Sequence, residues 1–157
     1  MQRKEMVVAA ALAAVLLLAG CAAGGKARSA EEAYQRFVGE WVNLEYSGVQ
    51  PNVQKMVIRA DYAGEDWDKP SDTASDGVWD IKVHKSWTDW KGNTYCQFYY
   101  RYVERYAGRG PALMRVSRNG KVLELNSRWG PEGSEYPEKI DPKAVSASTF
   151  YFKYFRK

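Results

Sequence analysis

The sequence predicts an all-β domain, an antiparallel up-and-down barrel of about eight strands behind a short N-terminal helix. Three observations carry that expectation. Aromatic residues make up 14% of the 157, with six Trp and eleven Tyr against five Phe, a composition suited to pleated, half-buried surfaces. Several stretches alternate apolar and polar residues with a period of two, which sends one set to each face of a strand. Turn signals recur between those stretches, so neighbouring strands are antiparallel and tightly joined. Consecutive hairpins with one apolar face each fit a closed barrel, because closure removes exposed edges; a sandwich would use the same pattern.

At the N-terminus, Arg3 and Lys4 form a basic head. Met6 to Gly20 is an uncharged run of apolar and small residues, densest at Leu16, Leu17 and Leu18. At about 1.5 Å per residue this run is too short to span a hydrocarbon core about 30 Å thick, and the whole has the pattern of a secretory signal. Its exit, Leu18-Ala19-Gly20-Cys21, resembles the bacterial lipobox, in which the Cys thiol receives a diacylglyceryl group before cleavage. The resemblance implies a signal peptide over 1–20, lipidation of Cys21 and an envelope protein held to the membrane by that lipid. Acyl chains contribute about 0.8 kcal/mol per buried CH₂, so two or three of them anchor durably. Ala22 implies, by resemblance to the sorting rule of two-membrane bacteria, the outer membrane with the domain facing the periplasm. Residues 21–29 are small and polar, a lipidated tether, and 30–157 form the barrel domain.

Ser29-Ala30-Glu31-Glu32 is a capping-box pattern that predicts a short helix through about Arg36, with Tyr34 and Phe37 facing inward. Strands follow near Phe37–Tyr46 and Val53–Tyr62. Trp79, Ile81, Val83 and Trp87 then alternate with Asp80, Lys82, His84 and Ser86. Lys91-Gly92-Asn93 turns the chain, and it returns over Thr94 to Tyr106. There Cys96, Phe98, Tyr100 and Tyr102 share one face, with Gln97, Tyr99, Arg101 and Arg105 on the other. Asn119-Gly120 predicts a type I′ hairpin pairing Arg118 with Lys121, Val116 with Leu123 and Met114 with Leu125, which brings the apolar residues together. A last strand covers Ser148–Arg156. That makes seven, with an eighth hidden in 64–77 or 134–146.

Phe37-Val38-Gly39-Glu40-Trp41-Val42-Asn43 follows directly on the short helix and resembles the Gly-x-Trp signature of the lipocalins. The resemblance implies an eight-stranded barrel closed at one end by Trp41, with Gly39 permitting close backbone approach there. Small bacterial lipocalin-like lipoproteins have a similar layout, including an aromatic last strand like Thr149-Phe150-Tyr151-Phe152-Lys153-Tyr154. Thr88-Asp89-Trp90 superficially resembles the second lipocalin signature. For the third, a basic residue near the last strand that packs on the Trp, Arg156 is the candidate.

Little reactive chemistry is visible. The net charge of +4 is interspersed, so a solvated surface is expected and no nucleic-acid partner. With Cys21 committed to lipid, Cys96 has no disulfide partner; it is expected to be a buried, inert thiol. His84, the one histidine, falls on the wet face, which argues against a haem ligand, and a single histidine excludes zinc sites that need more. Asp61, Glu65, Asp66, Asp68, Asp72, Asp76 and Asp80 lack the spacing of a calcium loop. With Gly64, Pro70, Ser71 and Ser75 they suggest a solvated loop, and Gly64–Gly77 would then be a lid over the barrel mouth. No metal, cofactor, catalytic residue or enzyme activity is therefore expected.

The candidate barrel interior is Trp79, Ile81, Val83, Phe98, Tyr100, Tyr102, Met114, Leu125, Phe150 and Phe152. Barrels of eight strands are just wide enough either to fill with side chains or to hold one small ligand. Bulky rings argue for the first, and Tyr hydroxyls without obvious partners for the second. The expected function is a non-enzymatic binding module for a small apolar or amphipathic ligand. The alternative is a filled barrel whose outer aromatics, Tyr95, Tyr99, Tyr151 and Phe155, dock an envelope protein partner, a role that would include inhibition of cell-wall-degrading enzymes.

Overall fold

The computed structural model describes residues 29–44, 53–69, 72–103 and 108–157. The predicted signal peptide, Cys21, most of the predicted tether, Tyr46, Arg105 and Tyr106 lie outside them. Eight antiparallel strands close into an up-and-down barrel, a lipocalin-like all-β fold. They are β1 (Gly39–Val42), β2 (Lys55–Ile58), β3 (Ala63–Trp67), β4 (Gly77–Thr88), β5 (Thr94–Tyr102), β6 (Arg109–Val116), β7 (Val122–Arg128) and β8 (Thr149–Arg156). Each pairs with its neighbour in sequence, and β1 closes on β8 through Trp41–Arg156 and Val42–Phe155.

Among the described residues one helix, α1 (Ala30–Gln35), precedes them. Its start is the capping box the sequence predicts: Glu32 N–H donates to Ser29 Oγ and Ser29 N–H to Glu32 Oε2, both at 3.1 Å. Six residues are too few for a stable helix in isolation, so packing holds it. Tyr34 and Phe37 are fully buried, and the Tyr34 hydroxyl donates to the Arg59 carbonyl at 2.9 Å.

The Met114–Leu125 and Val116–Leu123 pairs form as expected. The turn between them differs. Only Gly120 takes a positive φ (+73°), and Gly120 N–H donates back to the Ser117 carbonyl at 2.8 Å, so the loop is not the type I′ turn. Arg118 and Lys121 are not a ladder pair. The eighth strand is β3, and 134–146 contains none. β3 escaped the period-two reading because its inward positions are Gly64 and Asp66, a glycine and a carboxylate.

A β-bulge falls at His84, between the Val83–Phe98 and Lys85–Gln97 pairs. One extra residue reverses the parity of the rest of β4. Ser86 therefore comes opposite Cys96, whereas Trp87 joins the outer face and stacks on Tyr95 at 5.1 Å between ring centroids, against the predicted inward placement. His84 is exposed, as expected, and stacks on Tyr136 at 4.6 Å.

Tyr99 is buried, not part of an outer aromatic surface. The chain after β7 crosses the outer face of β5–β7 and covers it. Tyr99 donates to the Gly130 carbonyl at 3.1 Å and Gln97 to the Pro137 carbonyl at 3.0 Å. Asn126 holds the backbone of Asp141 through two bonds, at 3.1 and 2.7 Å. Leu113 is buried beneath the same segment's side of the sheet.

Candidate functional site

The two ends of the barrel are built differently. At one end α1 lies across the opening and Trp41 fills it, fully buried, its indole N–H donating to the Phe37 carbonyl at 2.8 Å. The Arg156 guanidinium stacks on the Trp41 ring, 4.3 Å from its centroid. It also donates to the carbonyls of Gly120 (2.9 Å), Val38 (3.1 Å) and Arg36 (2.7 Å). Gly39 takes φ +142°, and a Cβ there would come within 3.0 Å of Arg156 Nη1, so glycine meets both the backbone and the space requirement. Arg36, which the sequence did not single out, repeats the device. Its guanidinium donates to the carbonyls of Gly92, Ser117 and Arg118 and to Thr94 Oγ1, tying two hairpin turns to the helix. Thr88-Asp89-Trp90 sits in the first of those turns, where Asp89 accepts from Asn93 and Tyr95, and Trp90 is 90% exposed.

At the other end a cavity of about 790 Å³ opens between the strand ends. A volume of that size is ample for one small molecule. Seven of the ten candidate interior residues line it: Trp79, Phe98, Tyr100, Tyr102, Leu125, Phe150 and Phe152. Ile81 and Met114 are packed in the core toward the closed end, and Val83 is half-buried against that core; none of the three reaches the cavity. The sequence reading missed Val53, Met56, Asp66, Asp68, Asp76, Ser127, Trp129 and Tyr154 as lining residues, along with Arg109 and its neighbours at the rim.

Two glycines explain how so many rings leave a space. A Cβ on Gly64 would lie 2.4 Å from the Trp79 ring, and one on Gly77 would lie 2.4 Å from the Tyr102 ring. Both rings therefore lie flat against bare backbone on the neighbouring strands instead of projecting across the barrel. Packing rings on glycine in this way is visible only once the strand register is known.

The predicted lid is largely wall. Glu65 and Asp66 belong to β3 and Asp80 to β4; of the described residues between these strands, Asp68 and Asp76 line the cavity, and Pro70 and Ser71 lie outside the described residues. Asp66 is no solvated loop residue; it is 6% exposed, and the Tyr102 hydroxyl donates to its Oδ2. Burial raises its pKa to about 6, with the Asp68 and Asp76 charges adding to the rise and the Tyr102 bond opposing it. Burial likewise pushes the Tyr100 hydroxyl up to about 12, opposed by its bond with Ser127. Tyr102 and Tyr154 are held well above the usual phenol range by burial and by the Asp66 charge. The Tyr154 hydroxyl donates to the Val53 carbonyl at 3.3 Å.

Cys96 is fully buried, and burial pushes its thiol up to about 11, so it is protonated at neutral pH. Among the described residues no group of three or more His, Cys, Asp and Glu is arranged to hold a metal ion. No protein-family model, curated protein or solved structure matches the chain.

Proposed function

We propose that this domain is a non-enzymatic binding module that takes up one small apolar or amphipathic molecule in its barrel. The observation that carries the reading is the cavity of about 790 Å³, walled by Trp, Tyr and Phe rings at the end of the barrel away from Trp41. Burial of an apolar ligand there stabilises the complex by roughly 25 cal/mol per Å² removed from water, and the tyrosine hydroxyls supply polar handles. The lipobox-like exit at Cys21 supports a location on an envelope membrane, and Ala22 supports the outer membrane with a periplasm-facing barrel. Metabolic labelling with a fatty acid, lost in Cys21→Ser, tests that anchor separately.

The filled-barrel alternative, a docking module for an envelope protein, has the cavity against it, and Tyr99 is withdrawn from the surface it needs. Titration with a neutral apolar fluorescent probe tests the binding reading. The expected result is saturable, one-to-one enhancement that Leu125→Trp abolishes by filling the cavity while the fold remains. Absence of saturable binding, or binding untouched by Leu125→Trp, would contradict it.

A further inference from the structure

The cavity is not uniformly apolar, and its polar groups carry one sign of charge where they are buried. Asp66 projects into it from β3, nine-tenths buried, with the Tyr102 hydroxyl as its hydrogen-bond donor. Asp68 and Asp76 stand beside it at the rim, where the Asp68 N–H donates to Asp76 Oδ2 at 2.7 Å. Among the described residues no lysine or arginine forms an ion pair with any of the three carboxylates. Lys55, on the strand next to Asp66, faces the outer side, with its Nζ 3.7 Å from the centroid of the Trp67 ring. Arg109, the one cation among the described lining residues, is exposed at the start of β6, three strands round the barrel from β3. Among the described residues the indole N–H of Trp79, a lining residue 5% exposed, has no acceptor.

A buried carboxylate without a cation is costly to keep ionised, and the natural compensation is a positive charge brought by a ligand. The rings around Asp66 suit the same charge, because the faces of Trp and Tyr attract an ammonium group within about 6 Å. We propose that the cavity is selective for an organic cation, an alkyl- or arylammonium whose charge lies against Asp66 and whose apolar body occupies the aromatic part of the barrel. This rests on the binding reading above and narrows it to a ligand class. Its pH dependence follows from the groups that face Asp66. They are Tyr102 from β5, Tyr154 from β8, and Asp68 and Asp76 from the rim, while β2 presents Met56 and β4 presents Gly77. With the carboxyl titrating at about 6, cation binding weakens below that pH.

The test uses the full chain in lipid nanodiscs, with empty nanodiscs subtracted, and reads quenching of tryptophan fluorescence. Three probes share one ring and differ in charge: 2-phenylethylammonium, 2-phenylethanol and phenylacetate. The expected order at pH 7.5 puts the ammonium at least tenfold tighter than the alcohol, and the alcohol ahead of the carboxylate. Asp66→Asn lowers ammonium affinity at least tenfold and leaves the alcohol within about twofold. In the unmodified chain, lowering the pH to 5 weakens the ammonium and spares the alcohol, which gives a readout independent of the variant. Equal affinity for ammonium and alcohol, or an Asp66→Asn variant that keeps the preference, would overturn the cation proposal while the binding reading survives. Failure of all three probes to bind would overturn both.

Discussion

Replacing Asp66 by Asn should stabilise the protein at neutral pH and flatten its response to acid. The carboxyl titrates at about 6 in the fold against 3.8 in an unfolded chain, so the folded state holds its proton more tightly. A raised carboxylate value makes stability greatest below the unfolded value, declining as pH rises from about 4 to about 6 and level above that. About two pH units at 1.36 kcal/mol each put the cost of ionised Asp66 near 3 kcal/mol at pH 7. The amide carries no such cost. The Tyr102 bond to the carboxylate is already contained in the value of about 6, so the net gain is at most about 3 kcal/mol at pH 7. At pH 4 the difference vanishes or reverses. Urea unfolding followed by tryptophan fluorescence, at half-unit steps from pH 4 to 8, gives the difference curve between the two proteins. Asp68 is also raised by burial and by Asp76, and its repulsion of the Asp66 charge is part of the cost that the amide removes. A variant less stable than the parent at pH 7, or a difference curve without slope between pH 4 and 6, would refute the reasoning.

Arg156→Ala should lower stability by about 2 kcal/mol or more, because three carbonyls lose their donor and Trp41 loses its stacked cation. Arg156→Lys should recover less than half of that in thermal unfolding, since one ammonium cannot replace a planar fork. Gly77→Ala should cost about 1–3 kcal/mol and shrink the cavity, because the new methyl group drives the Tyr102 ring off the wall; unchanged stability together with unchanged probe binding would count against the packing described. The Cys96 thiol should react with an aromatic disulfide reagent only at the rate of unfolding, and stoichiometric reaction within seconds in native buffer would contradict its burial.

What could be read from the sequence was whatever depends on neighbours in the chain. The capping box of α1, the inward face of β5 and the Met114–Leu125 and Val116–Leu123 pairs all follow from local spacing. The Gly-x-Trp stretch led to the closed end, where Arg156 stacks on Trp41. What could not be read depends on one residue's effect on register or on distant chain. The bulge at His84 carries no composition of its own, yet it exchanges Trp87 for Ser86 on the inner face. β3 looked like an acidic loop because a strand whose inward positions are Gly64 and Asp66 has no apolar alternation to detect. Tyr99 alternates as an outer residue and is one, but the segment after β7 covers it through polar contacts that leave no periodic trace. The cavity itself was ambiguous for the same reason, because its existence turns on Gly64 and Gly77 facing Trp79 and Tyr102 across strand pairs.

The central claim is that the barrel holds a small molecule, and mass spectrometry under native conditions tests it most directly. The protein produced in a bacterial periplasm is weighed before and after extraction with organic solvent. One additional mass per chain is expected, lost on extraction and belonging to a molecule small enough for about 790 Å³, with a fixed positive charge or a basic amine. A bare protein mass in both samples, with no uptake of added apolar or cationic probes, would contradict it.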